Sequence, residues 1–142
     1  SGAITQILMG AGIDWMRYST QLYAYHFAFI KLDKLIIPNT IKVIGNSSFM
    51  HSDIPIIVVP KGTSVDAYGL YSDSLKEVHI LDTNLDNWDR EAFEGSDNLK
   101  IIYFSGTTDE WLDRDFWFND ITFIVHCSDG ELEHVTNMYK RL

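Results

Sequence analysis

Leu75 to Phe104 reads LKEVHILDTNLDNWDREAFEGSDNLKIIYF, one complete copy of a repeating unit followed by the start of the next. Apolar residues fall at Leu75, Val78 and Ile80, then at Leu85, Trp88 and Phe93, and the short pattern restarts at Leu99, Ile102 and Phe104. The same triplet occurs upstream at Leu32, Leu35 and Ile37, and again at Ile54, Ile57 and Val59. The triplets begin 22, 21 and 24 residues apart. A period of that size belongs to solenoids, whose units bury their apolar edges only by stacking on one another.

Working outward, residues 32 to 53, LDKLIIPNTIKVIGNSSFMHSD, give the cleanest unit. Leu35-Ile36-Ile37 reads as a short strand that Pro38 ends, because proline has no N–H for a ladder. Asn39-Thr40 turns the chain, Ile41 and Ile44 point back inward, and Asn46 to Phe49 forms a helical or 3₁₀ turn that carries Phe49 into the core. Residues 54 to 74 repeat this with Val59-Pro60 and a Lys61-Gly62 turn. A helix starting at Thr63 or Ser64 is then expected to bury Val65 and Tyr68.

The ends are less regular. Ile4, Ile7 and Leu8 suggest a short helix broken at Gly10-Ala11-Gly12. From Asp14 to Phe27 a second helical pattern competes with the repeat register, which places Ile13 and Trp15 opposite Leu35 and Ile37, and Leu22 and Phe27 opposite Ile44 and Phe49. We read this as a degraded first repeat that caps the stack. Downstream, Thr107-Thr108-Asp109-Glu110 has the form of a capping box and predicts a helix through Trp111 and Leu112. Ile121 to His126 reads as a last strand. Ser128-Asp129-Gly130-Glu131 is a second capping box, opening a final helix with Leu132, Val135, Met138, Tyr139 and Leu142 along one side and Lys140-Arg141 at its negative end.

Composition narrows the functional classes. The 142 residues fit one domain, and 46% hydrophobic with 13% aromatic content describes a compact fold. A formal charge of −9 and the absence of any run of five basic residues argue against nucleic acid as a partner. The longest apolar stretch, Ile54 to Val59, is interrupted by Pro55 and too short to span a bilayer. Cys127, the single cysteine, excludes an internal disulfide framework. The start, Ser1-Gly2-Ala3, reads as a processed end or a cloning remnant, so a removed signal peptide leaves no trace.

IPNTIKVIGNSSF (Ile37 to Phe49) resembles the unit of the BspA-type leucine-rich repeats of bacterial surface proteins. EAFEGSDNLKIIYF (Glu91 to Phe104) is similar to that family's junction between units, and GTTDEW (Gly106 to Trp111) followed by VHCSDG (Val125 to Gly130) to the way its arrays end. The resemblance covers Leu32 to Gly130, and the first 30 residues do not share it. It implies an α/β fold: a short leucine-rich-repeat-like solenoid whose parallel sheet has about four to five short strands, capped by helices at both ends. The expected organisation is a single domain with an N-terminal cap over 3–31, repeats over 32–106 and a C-terminal cap over 107–142. The resemblance also implies a non-enzymatic adhesion or recognition module without cofactor, located extracellularly, at a cell surface or on a virion.

In such a repeat the triplet residues face the core and those between them face out. The outward positions are Lys34, Ile36, Ile56, Val58, Glu77, His79, Ile101 and Tyr103. Five of these eight are apolar or aromatic where a solvated sheet would be polar. Either the N-terminal segment folds over this face, or a partner protein or a second copy of the chain does. Ile36, Ile56, Val58, His79, Ile101 and Tyr103 are the expected partner-binding residues.

Other chemistry weighs less. Asp82-Thr83-Asn84-Leu85-Asp86 begins like a calcium loop, but Asn87 stands where glycine is needed and Phe93 where glutamate is needed, so an Asx-rich turn is the better account. His126, Cys127, Asp129, Glu131 and His134 lie close in sequence, yet strand alternation sends His126 and Cys127 to opposite faces and the spacing fits no zinc pattern. Nothing beside Cys127 marks it as a nucleophile. Asp109, Glu110, Asp113 and Asp115 offer carboxylates for acid and base work, but Asp109 and Asp113 share an exposed helix face, which is more often merely solvated. Phe116-Trp117-Phe118 with Trp111 can serve contact or sugar stacking, and packing under a loop is the commoner role. The alternatives to a recognition module are a self-associating structural subunit of a virion or cell-surface assembly and, needing a site not found, a metal-dependent hydrolase.

Overall fold

The computed structural model describes residues 14–142. After a 3₁₀ turn at Asp14–Tyr18, the early coils each lay down two short strands in two different sheets. β1 (Gln21–Leu22), β3 (Val43–Ile44) and β5 (Ser64–Val65) form a three-stranded parallel sheet. Alternating with them, β2 (Leu35–Ile36), β4 (Ile56–Val59) and β6 (Glu77–Ile80), followed by β7 (Ile101–Phe104) and β8 (Phe123–Cys127), build a five-stranded parallel array. Among the described residues a single α-helix, α1 (Thr108–Arg114), lies between β7 and β8. Antiparallel β9 (Gly130–Val135) and β10 (Met138–Arg141) extend the array to a seven-stranded sheet. The chain is a β-solenoid of about five turns.

The triplets set the register. Leu35, Ile57, Val78, Ile102 and Val125 pair in one row across the large sheet, and all five are completely buried. Val59, Ile80 and Phe104 form the next inward row. Each such side chain contributes about 1.5–3 kcal/mol by leaving water. The small sheet adds Leu22, Ile44 and Val65, also fully buried, and a bridge from Val65 to Trp88 carries its line one coil further.

Between the two sheets the backbone turns a third corner. Tyr25, Ser47 and Tyr68 there have φ of 64°, 61° and 59°. The N–H of each bonds to the next coil: Tyr25 to the Ser47 carbonyl, Ser47 to that of Tyr68, and Tyr68 to that of Glu91. Small hydroxyls settle other carbonyls along the stack, with Thr63 donating to Ile41, Ser96 to Leu70 and Ser105 to Ile80. Gly45 is required by close approach, since a Cβ there would meet the Leu22 carbonyl oxygen at 2.5 Å.

Several expectations are corrected. The fold is mostly sheet, and helices do not cap both ends of the described chain. The final helix is the β9–β10 hairpin, whose turn residues Thr136 and Asn137 have φ of 52° and 58°. The expected capping box Ser128-Asp129-Gly130-Glu131 opens no helix, and Asp129 within it accepts the Thr108 N–H at 2.8 Å at the start of α1. The capping box at Thr107 does form, with Glu110 reciprocating. Thr63-Ser64 opens a strand and not a helix, and Tyr68 is 37% exposed because the left-handed corner turns it outward. The helical pattern from Asp14 ends at Tyr18; beyond it Leu22 pairs with Ile44, and Phe27 packs 5.0 Å from Phe49. Trp15 packs half-buried against His26 and Phe27 and adds no strand beside β2. The expected helix at Ile4 to Leu8, its break at Gly10-Ala11-Gly12 and the repeat position at Ile13 lie outside the described residues.

Candidate functional site

Strand alternation leaves two columns on the outer face of the large sheet. Ile36, Val58, His79, Tyr103 and His126 pair in one, while Ile56, Glu77, Ile101 and Ile124 pair in the other. All six of the expected partner-binding residues therefore stand together on one face. Val58 is buried and Ile36, Ile56 and Ile101 are half-buried, so that part of the face is apolar and low.

The remainder is a ladder of rings. His79 stacks on Tyr103 at 4.5 Å and Tyr103 on His126 at 4.9 Å, with the planes within 18° and 14°. Each histidine meets a carboxylate: the His79 Nε2 lies 2.5 Å from Glu77, and the His126 Nδ1 lies 3.2 Å from Glu131 across the β8–β9 pairing. Because the ring faces cover one another, their edges and the Tyr103 hydroxyl are what a partner meets. Tyr103, 38% exposed, is the most open of the six. Ile124 and His126 were missed from the sequence. They continue the alternation one coil beyond Ile101 and Tyr103, which is the signal that points to them.

The weighed chemical candidates fall elsewhere. The buried Asp82 carboxylate accepts the Gly62 N–H at 2.9 Å and the Asn84 N–H at 3.0 Å, and Asn84 accepts that of Asp86. Its oxygens are aimed at the backbone and do not converge on a cation. Burial alone would raise this carboxyl, but the N–H groups of Asn84, Gly62 and Thr83 and the Lys61 charge outweigh it and hold it below the usual aspartate range.

Cys127 points away from His126 and packs against the core. Burial, aided by the Asp129 charge, pushes its thiol up to about 11, which disfavours the nucleophilic thiolate. His134 is buried, bonds Ile121 through Nδ1 at 2.6 Å and stacks on Phe123. Asp109 is exposed and pairs with Arg141 at 2.6 Å. Among the described residues no group of His, Cys, Asp and Glu is arranged to hold a metal.

The aromatic run divides. Trp111 and Phe116 are core, and Phe118 packs between Phe93 and Phe123. Trp117 is 47% exposed, with the Arg90 guanidinium 4.9 Å over its ring.

Among the described residues no helix is long and apolar enough to cross a membrane. No curated protein and no solved structure matches the chain. A sequence profile of the BspA type leucine rich repeat region matches residues 20–137 in six copies. The profile starts beside β1, where the paired small-sheet strands begin, and covers every coil described above. With its triplet spacing, stacked parallel strands and matched repeats, the chain belongs to the BspA-type leucine-rich repeat family, whose repeats are protein-interaction modules.

Proposed function

We propose that the chain is a non-enzymatic recognition module that binds a partner protein through the outer face of its large sheet, in an adhesive role at a cell surface or on a virion. The observation that carries this reading is the continuous strip formed by Ile36, Ile56, Val58 and Ile101 with the His79–Tyr103–His126 ladder. Apolar floors beside aromatic edges are where binding energy concentrates in protein interfaces. The core cluster is filled by the opposite rows and includes none of these residues. Family membership supports the non-catalytic role, and surface association is typical of the family.

The test is the double variant Ile56→Glu with Tyr103→Glu, screened with the unaltered chain against a panel of immobilised surface and matrix proteins. The expected result is a loss of binding of at least about 100-fold, the scale of two contact residues. The melting temperature should fall by no more than about 4 °C. Undiminished binding would place the partner elsewhere, and a much larger fall in melting temperature would assign the strip to the monomer's own packing. Light scattering separates a foreign partner from self-association through the same face, since a chain monomeric at high concentration excludes an obligate assembly.

A further inference from the structure

At the C-terminal end of the stack a groove of about 720 Å³ opens between the loop after α1 and the β9–β10 hairpin. Phe116, Trp117, Phe118 and Tyr139 supply rings to its wall, Met138 a thioether, and Glu94 a carboxylate. We propose that this groove binds an arginine side chain of a partner peptide, holding the guanidinium between the aromatic wall and Glu94. This goes beyond the sheet-face function and does not depend on it.

Charge identifies the occupant. No lysine or arginine lines the groove, and its two acids are Glu94 and Asp115. Asp115 is already paired with Arg90 at 3.0 Å. Glu94 is half-buried, and among the described residues its carboxylate has neither a hydrogen bond nor an ion pair. The one imidazole on the wall, His134, spends its Nδ1 on the Ile121 carbonyl. A half-buried carboxylate in a groove that also carries the half-exposed Trp117 lacks a cation, and a guanidinium matches both the carboxylate's two oxygens and the flat indole. The net charge of −9 draws such a ligand in.

The chain itself uses the same chemistry at the groove's margin. The Arg90 guanidinium lies over Trp117 while bonding Asp115, and that of Arg114 lies 5.3 Å over Phe116 while donating to the Trp88 carbonyl. Arg90 does not exhaust Trp117, which keeps nearly half its surface open.

The experiment titrates the full chain with a blocked glycine–serine hexapeptide carrying one arginine, and with its citrulline counterpart of equal shape and no charge. Binding is followed by NMR at the Trp117 indole N–H, identified with Trp117→Phe. The expected result is a saturable shift with the arginine peptide at millimolar or lower concentration, and at least about tenfold weaker binding of citrulline. Glu94→Gln, which keeps the side chain's size and breaks no hydrogen bond or ion pair among the described residues, should leave the melting temperature unchanged and weaken the arginine peptide by about the same factor. The Ile56→Glu, Tyr103→Glu variant should bind it as the unaltered chain does. Equal binding of both peptides, binding that survives Glu94→Gln, loss of binding in the sheet-face variant, or no saturable shift by about 10 mM would each overturn the proposal.

Discussion

Replacing Asp82 by asparagine should loosen the junction between two coils, and the effect should depend on pH in one direction only. Asp82 follows β6, and its carboxylate reaches back 20 residues to the Gly62 N–H at 2.9 Å while holding the Asn84 N–H at 3.0 Å. Asparagine keeps one acceptor oxygen and turns an NH₂ donor toward the second N–H, leaving a poorly solvated donor unpaired. Losing one charge-assisted bond and stranding its partner costs about 1–3 kcal/mol. At about 3 °C per kcal/mol for a chain of this size, the melting temperature falls by roughly 3–9 °C. The folded state holds the Asp82 carboxyl below its ordinary value, so the unfolded chain takes up the proton first. The stabilisation is therefore complete above the unfolded value of about 3.9 and fades as pH drops through the lower folded value. Urea unfolding, followed by tryptophan fluorescence from neutral pH to about pH 3.5, should show a constant gap between the two proteins down to about pH 5. Below about pH 4 the gap should narrow. A gap of the same size at every pH, or one that widens on acidification, would show that the ionised carboxylate is not its source.

Gly45→Ala should destabilise the chain by about 1–3 kcal/mol in thermal denaturation, because the new methyl meets backbone of the preceding coil rather than a movable side chain. An unchanged melting temperature would mean that β1 and β3 can part at no cost. Cys127, with its thiol at about 11 against an ordinary 9.0, should be alkylated by iodoacetamide near pH 8 about 100-fold more slowly than in the urea-unfolded chain. Equal rates in the two states would contradict the burial that raises it.

The inward rows were legible because alternation with a period of two, repeated every 21 to 24 residues, admits only one face for Leu35, Ile57, Val78 and Ile102. The outer face followed from the same alternation. The small sheet was not legible, since Val43–Ile44 and Ser64–Val65 are two residues each, too short to display any period. The terminal hairpin has the sequence pattern of a helix because Leu132, Val135, Met138 and Tyr139 satisfy a helical stripe. What decides the matter is non-local: Leu132 and His134 are buried as alternate residues against β8, and Asp129 is engaged by Thr108 at the head of α1. The ring ladder needed the register across strands, which coils of unequal length conceal. Phe116-Trp117-Phe118 stands out in the sequence as a contact candidate, but the groove beside Trp117 needs the hairpin, which brings Met138 and Tyr139 to it from further along the chain.

The left-handed corners at Tyr25, Ser47 and Tyr68 bear on how such a chain comes together. A non-glycine residue in that conformation costs about 1–2 kcal/mol, and the bond its N–H makes to the following coil returns about 0.5–1.5 kcal/mol. One coil on its own bears the cost without the return. Assembly must then resemble closing a zipper, with a nucleus of adjoining coils forming first and the outer ones added in turn, each held chiefly by the one before it.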